Sequence, residues 1–268
     1  MKIVFWAPVH GQTGQSSNML AIAIMLALRK KSHLLITQTQ FQMNDLEDAV
    51  VGRTVTKGMR DRFFQGMGID AVNRCIKHKK MEKEDLNNCC VQILPDGDLM
   101  LLPGTRSGNY EIHFEVLQDS LFLFRQAEIY FDAILIDANP GGDGVSRMLM
   151  EEADVVVVCL SQNMGVLDLL FRNYPKVLEG KRVFYLFGAY LSDSCYNLHN
   201  LRFRYSKIKR ENSGVVPVNV RFRDAVSCGK TVDFFESNLE CEQGDSNYEF
   251  IREIKEVSER LLRFAGMV

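Results

Sequence analysis

The sequence predicts an α/β protein in which a doubly wound, mostly parallel sheet carries helices on both faces. Short, continuously apolar segments are typical of strands that are covered on both faces. These segments alternate with helical ones, as in repeated βα units. A glycine-rich loop follows the first strand, where folds of this class bind ligands. We see no linker and no internal repeat, so we predict a single domain over residues 1–268.

The amino-terminal half predicts two strands around a buried helix. Lys2–Val9 is rich in β-branched and aromatic residues and ends at a turn cluster, which favours a strand. Ser17–Lys31 is apolar on nearly all sides and ends in basic residues, as expected of a buried helix. His33–Thr37 predicts the second strand. The segment 52–118 is less regular, and its predicted elements are a helix around Met59–Cys75 and two short strands, Val91–Pro95 and Leu99–Thr105, on either side of an Asp96–Gly97 turn.

The carboxyl-terminal half predicts four further strands and a final helix. The runs AILI and VVVVCL, at Ala133–Ile136 and Val155–Leu160, are continuously apolar. Arg182–Phe187 and Val215–Val216 add two more strands. The segment Tyr248–Phe264 places its apolar residues on one helical face, which we expect to pack on the sheet rather than lie on lipid.

The composition excludes several classes of protein. The chain has 268 residues, of which 46% are hydrophobic and 25% charged, and its formal net charge is −2. No overall charge attracts it to nucleic acid or anionic lipid. The apolar run Met19–Leu28 is about half of the roughly 20 residues that span a bilayer, and no secretory leader is recognised, so we expect a cytoplasmic protein without a transmembrane segment.

The cysteines and histidines predict neither a disulfide framework nor a metal site. Seven cysteines are an odd number without a C-x-x-C pair, which favours reduced thiols. The adjacent Cys89 and Cys90 are open to two interpretations, a redox pair or ordinary packing. The five histidines lack metal-ligand spacing.

The loop after the first strand, HGQTGQSS, keeps part of a phosphate-binding pattern. A P-loop has the pattern G-x-x-x-x-G-K-[ST], in which backbone N–H groups and the lysine hold phosphates and the hydroxyl holds magnesium. Here Gln15 stands where the lysine belongs, between Gly14 and Ser16. The loop therefore keeps its glycines and hydroxyl but lacks the cation. A glycine-rich turn that binds nothing is the alternative at this point.

These motifs resemble the ParA/MinD family of deviant-Walker P-loop ATPases over nearly the whole chain. The family loop, K-G-G-x-G-K-T/S-T/S, aligns with His10–Ser17, so both lysines of the pattern are absent. The resemblance implies a P-loop NTPase-like fold. It also implies a nucleotide-binding loop made of Gly11, Gln12, Thr13, Gly14, Gln15, Ser16 and Ser17.

Other family motifs align further along the chain. Gln38 and Gln40 take the places of an acidic D-x-D, whereas Asp137 is retained in a Walker B-like strand. The resemblance makes Ser16 and Asp137 the candidate magnesium ligands. EEADVVVVCLSQN and VVPVNVRFRDAVSCGKTV are also similar to family segments. Phe187-Gly188-Ala189 replaces an asparagine that often recognises the base.

The altered loop is most similar to TadZ/CpaE-like members of Flp/Tad pilus loci. The resemblance implies a positioning or scaffolding factor that binds ATP and magnesium weakly or not at all and has no catalytic residues. It implies a homodimer, protein partners in a secretion or pilus assembly machine, and recruitment by them to the inner face of the membrane.

Two other functions stay open. One is an active or ATP-binding partition-type ATPase in which Lys2 or Lys230 replaces the lost cation. The other is nonspecific DNA binding through a basic stretch, for which a solvated helix face is the alternative. That stretch contains Arg202, Arg204, Lys207, Lys209, Arg210, Arg221 and Arg223.

Overall fold

The computed structural model describes residues 1–30, 32–40, 45–51, 66–78, 82–95, 98–105 and 110–267. The strands are β1 (Lys2–Trp6), β2 (Leu34–Gln38), β3 (Val91–Gln92), β4 (Leu99–Leu102), β5 (Ala133–Asp137), β6 (Val155–Leu160), β7 (Val183–Tyr190) and β8 (Ser213–Pro217). The helices are α1 (Gln15–Lys30), α2 (Asp45–Val51), α3 (Ile69–His78), α4 (Lys83–Cys89), α5 (Tyr110–Ala127), α6 (Gly144–Glu152), α7 (Met164–Asn173), α8 (Leu198–Arg204), α9 (Val220–Cys228), α10 (Thr231–Asn238) and α11 (Tyr248–Ala265).

The strands form one sheet in the order β3-β4-β2-β5-β1-β6-β7-β8. All neighbouring strands are parallel except β3 and β4, which pair antiparallel at one edge. This arrangement confirms the predicted α/β fold. The strand order reverses beside β1, so the loop that follows β1 lies at the position where such sheets bind ligands.

The sheet separates two hydrophobic cores. Along β1, Ile3 and Phe5 face one core and Val4 and Trp6 the other. Helices α1, α2 and α9 to α11 contribute to the first core, and α3 to α8 contribute to the second. Because both faces are covered, every residue of β1 is buried, which explains why the strands are continuously apolar in sequence.

The last helix packs on the sheet, as its amphipathic pattern predicts. Its apolar face, which includes Ile254, Val257 and Leu261, belongs to the first core. A Cβ atom on Gly214 of β8 would lie 2.2 Å from Val257 Cγ2. Helix α11 therefore contacts the backbone of β8 too closely for any residue but glycine at this position. Within the described residues, no helix has the length and apolarity needed to cross a bilayer.

The segment 52–118 agrees in part with its prediction. The two short strands are present and pair with each other. The described helix begins at Ile69 and ends at His78, so it overlaps only the second half of the predicted Met59–Cys75 helix. Met59 and the Asp96–Gly97 turn lie outside the described residues.

Candidate functional site

The loop between β1 and α1 owes its shape to two glycines. Gly11 and Gly14 have φ of 74° and 64°, in the left-handed region that other residues rarely adopt. Helix α1 begins directly after Gly14, and Asn18 N–H donates to the Gly14 carbonyl at 2.8 Å. The loop thus leads into a helix amino terminus, where backbone N–H groups favour an anion.

A contact that sequence reasoning missed holds the loop against β7. Asn18 Nδ2 donates to the Thr13 carbonyl at 2.9 Å, and both residues are buried. A Cβ on Gly188 of β7 would lie 2.2 Å from the Thr13 oxygen and 2.3 Å from Asn18 Nδ2. Gly188 is therefore the residue that lets β7 approach the loop. In the sequence, the glycine of Phe187-Gly188-Ala189 is the only indication of this close contact, and only the fold shows that it faces the loop.

The carboxylate of Asp137 is the centre of the site and is fully buried at the end of β5. Gln15 Nε2 donates to Asp137 Oδ1 at 2.6 Å, and Ser16 Oγ donates to Oδ2 at 2.6 Å. The same Gln15 nitrogen also lies 2.6 Å from the Ala138 carbonyl oxygen and 3.1 Å from that of Phe5. The side chain at the lysine position of the P-loop pattern thus ties the loop to Asp137.

Gln38 is the last residue of β2 and Gln40 follows the strand, and the two glutamines have different roles. Gln40 Nε2 donates to Asp137 Oδ2 at 3.1 Å and to Ser16 Oγ at 3.2 Å. Gln38, in contrast, accepts the Leu46 backbone N–H at 3.0 Å and so supports the start of α2. Only Gln40 joins the cluster around Asp137. We name Gln15, Ser16, Gln40 and Asp137 the amide–carboxylate cluster.

Within the amide–carboxylate cluster, neutral groups donate to the buried carboxylate. Two amides and one hydroxyl of the cluster donate to Asp137. Gln15 Oε1 is buried and has no hydrogen-bond partner among the described residues. Burial and then the negative charge of Asp137 raise the pKa of the neighbouring Cys159 thiol.

An open cavity of 340 Å³ lies over the loop. Gly11, Gly14, Ser16 and Gln40 line it together with residues of α2 and α9. Among the described residues that line the cavity there is no lysine or arginine, and His10 is the only basic side chain.

Neither proposed replacement lysine supplies the missing cation. Lys2 lies at the opposite end of β1 from the loop, where its Nζ is 3.3 Å from Glu128 and 3.5 Å from Glu152. Lys230 is exposed at the start of α10 and does not line the cavity. The structure therefore contradicts Lys2 and does not support Lys230.

The described residues around the cavity fit a magnesium nucleotide only in part. Ser16 and Asp137 are adjacent, as a shared metal ion would require, and the loop presents a helix amino terminus. A polyphosphate would nevertheless be close to the buried charge of Asp137, with no lysine or arginine in the described lining to neutralise it. Among the described residues, the metal half of the site fits and the phosphate half lacks its cation.

The basic stretch does not form one surface. Arg202 and Arg204 lie on α8, whose buried residues belong to the second core, whereas Arg221 and Arg223 lie on α9, whose buried Phe222 belongs to the first. The stretch is thus divided between the two faces of the sheet, although it is continuous in sequence.

The adjacent cysteines support the packing interpretation. Cys89 and Cys90 are both buried in the second core. Burial, and then the charge and hydrogen bond of Cys75, raise the pKa of Cys89 to about 11. A thiol with so high a pKa forms little of the reactive thiolate at neutral pH. Within the described residues, no cluster of histidine, cysteine, aspartate and glutamate could hold a metal ion.

The solved structures that superpose on this chain include ParA- and MinD-type proteins. A ParA family ATPase from Chlorobium tepidum TLS superposes with a TM-score of 0.74 at 13% identity, covering 96% of this chain and 98% of the other. MinD from Pyrococcus horikoshii OT3, complexed with Mg-ADP, gives 0.68 at 14% identity over 100% and 98%. The MinC:MinD complex of Aquifex aeolicus gives 0.67 at 13% identity over 98% and 96%.

No family model matches the sequence, and no curated protein matches it. The likeness is therefore one of fold, over nearly the full length of both chains. One of these proteins, MinD from Pyrococcus horikoshii OT3, is complexed with Mg-ADP. The chain has the fold of the ParA/MinD-type P-loop ATPases.

Proposed function

We propose that this chain is a ParA/MinD-like positioning or scaffolding protein that works without hydrolysing a nucleotide. The observation that carries this proposal is the hydrogen bond of 2.6 Å from Gln15 Nε2 to Asp137 Oδ1. At the position where a P-loop has its phosphate-binding lysine, a neutral amide points to a buried carboxylate instead. Contacts within the protein also hold the loop, since Asn18 Nδ2 donates to the Thr13 carbonyl at 2.9 Å.

The second strand also lacks the chemistry that hydrolysis needs. Attack by water requires a group that orients it and accepts its proton. Gln40 reaches the cluster, but its amide nitrogen donates to Asp137 and to Ser16. An amide is a poor proton acceptor, so Gln40 does not replace a carboxylate base.

The partners in this proposal are proteins. A homodimer formed face to face over the loop would bring the exposed His10 of each copy to the interface, whereas Gln15 is buried against Asp137. Neither lysine of the family pattern is present on the loop to require a phosphate. Dimerisation would then be independent of nucleotide. The MinC:MinD complex shows one neighbour of this fold assembled with a second protein. The TadZ/CpaE resemblance suggests a secretion or pilus assembly machine at the membrane as the destination.

The second candidate function is binding of a nucleotide without turnover. The adjacent Ser16 and Asp137 and the left-handed Gly11 and Gly14 favour it, because they preserve the metal ligands and the loop conformation. Binding would be weak without a cation in the described lining.

Phosphate release and sedimentation velocity together test the proposal. We expect no phosphate release from Mg-ATP above background, and the same sedimentation coefficient with and without Mg-ATP at micromolar protein. Turnover by the unmodified chain, or a dimer that forms only with ATP, would contradict a nucleotide-independent scaffold. A monomer under both conditions would contradict the dimer.

A further inference from the structure

A groove runs along β8, the strand that ends the sheet opposite β3. Its cavity measures 850 Å³ and lies between α8 and α11. Its lining on α11 extends from Glu249 to Arg260, which is about 16 Å of helix. An extended chain of about five residues spans that length. The edge strand itself has five residues.

Three arginines without a carboxylate partner among the described residues meet in this groove. Arg202 comes from α8, Arg210 from the segment before β8, and Arg260 from α11. Among the described residues none of the three lies within ion-pair distance of an aspartate or glutamate. Arg252, in contrast, pairs with Glu249 at 2.6 Å. We name Arg202, Arg210 and Arg260 the arginine cluster.

Neutral oxygens orient two members of the arginine cluster. Arg202 Nη2 donates to Ser213 Oγ at 2.9 Å, and Arg260 Nη1 donates to the Ser213 carbonyl at 2.8 Å. A guanidinium has five N–H donors, so most donors of each side chain remain for another partner. The Arg260 contact also shows that the Ser213 carbonyl points away from β7, toward the groove.

The cluster places like charges in a partly buried position. Arg202 is half-buried, and burial followed by the charges of Arg260 and Arg210 lowers its pKa. Glu211 opposes this effect only weakly and lies beside Lys209. Glu249 and Glu253 also line the groove, and both pair with Arg252. The arginine cluster therefore leaves an excess of positive charge around the half-buried Arg202, which favours a ligand of the opposite sign.

We propose that this groove binds an extended acidic segment of a protein partner, which lies along β8 and pairs its carboxylates with the arginine cluster. Two features point to a peptide. An edge strand can add a further strand through backbone hydrogen bonds, and guanidinium groups bind carboxylates through paired N–H donors. This inference does not depend on the loop after β1, so its failure would leave the proposed function unaffected.

Fluorescence anisotropy with a labelled octapeptide tests the proposal on the full chain. The peptide Glu-Glu-Thr-Thr-Glu-Glu-Thr-Thr carries two glutamates on each side when extended. We expect saturable binding with a Kd below about 1 mM. The same peptide with lysines in place of the glutamates is expected not to bind. A version with methyl groups on its central amide nitrogens keeps the charges but cannot pair with β8, and we expect it to bind roughly tenfold more weakly.

Two charge-reversal variants separate the groove from overall charge. Arg210→Glu removes one member of the arginine cluster, and Arg223→Glu makes the same change on α9. Both side chains are exposed, so both variants should fold. We expect Arg210→Glu to weaken peptide binding roughly tenfold and Arg223→Glu to leave it within about twofold. Arg202→Gln should weaken binding in the same direction as Arg210→Glu.

Several results would overturn the proposal. One is the absence of peptide binding at about 1 mM. Equal losses in Arg210→Glu and Arg223→Glu would show that only net charge matters. Equal binding of the methylated peptide would exclude strand addition. If a single-stranded thymidine oligonucleotide bound more tightly than the peptide and depended on Arg210, the groove would recognise phosphates rather than an acidic peptide.

Discussion

Replacing Gln15 by methionine should destabilise the protein, because Gln15 carries the contact between the loop and Asp137. Methionine has a similar size and no hydrogen-bond donor. The Oδ1 atom of the fully buried Asp137 loses the Gln15 donor at 2.6 Å, and the Ala138 carbonyl loses the same donor at the same distance. The Phe5 carbonyl keeps the Ala138 backbone N–H at 2.9 Å.

The expected size of the loss follows from these contacts. A hydrogen bond to a charged group contributes about 1.5–3 kcal/mol, and a neutral one about 1 kcal/mol. Methionine also removes Gln15 Oε1, the buried oxygen that has no partner among the described residues, and this offsets about 1 kcal/mol. We therefore expect the free energy of unfolding to fall by about 1.5–3 kcal/mol.

Urea denaturation followed by circular dichroism measures this change. Gln12→Met is the matched control, since it makes the same substitution at an exposed position of the same loop. We expect it to change the free energy of unfolding by less than about 0.5 kcal/mol. Equal stability of the two variants would refute the structural role of the Gln15 amide.

Three further predictions concern other parts of the structure. Gly188→Ala should destabilise the protein by about 1–3 kcal/mol in urea titrations, because the new Cβ would lie 2.2 Å from the Thr13 oxygen. Gly142→Ala is the control and should be nearly neutral, since its Cβ would lie 3.5 Å from a side-chain atom of Arg147. Burial lowers the pKa of His113, so the unfolded chain binds a proton more readily and stability should fall as the pH drops from about 7 to about 5. His113→Gln should flatten that pH dependence, and an unchanged slope would contradict this assignment. An aromatic disulfide reagent at pH near 8 should modify the exposed Cys195 rapidly. It should modify Cys89 only on unfolding, because Cys89 is buried and its pKa is raised to about 11. Fast modification of Cys89 in the folded protein would argue for a redox role.

The fold could be predicted from the sequence because strands that are buried on both faces are continuously apolar. The strand VVVVCL contains no charged or strongly polar residue because all of its residues are buried, and its predicted bounds Val155–Leu160 are confirmed without change. The ends of elements that run into loops were less certain. The first strand ends at Trp6 rather than Val9, because the chain turns into the loop there.

The site could be predicted only in part, because side-chain direction depends on the tertiary structure. The alignment identified Gln15, Gln40 and Asp137, but it gave the two glutamines of the second strand equal weight. Only the fold shows that Gln40 reaches Asp137 while Gln38 supports α2. The division of the basic stretch and the arginine cluster also depend on which helix packs on which face of the sheet.

An equilibrium titration of the purified protein with Mg-ATP, beside a Gln15→Lys variant, tests most directly whether this loop has lost its nucleotide. We expect no binding by the unmodified chain up to about 1 mM ATP. The Gln15→Lys variant should bind with a Kd of about 0.1 mM or lower, because the lysine restores the missing cation. Gln12→Lys controls for added charge and should not gain binding. Micromolar binding by the unmodified chain would contradict the proposal that this is a nucleotide-independent scaffold.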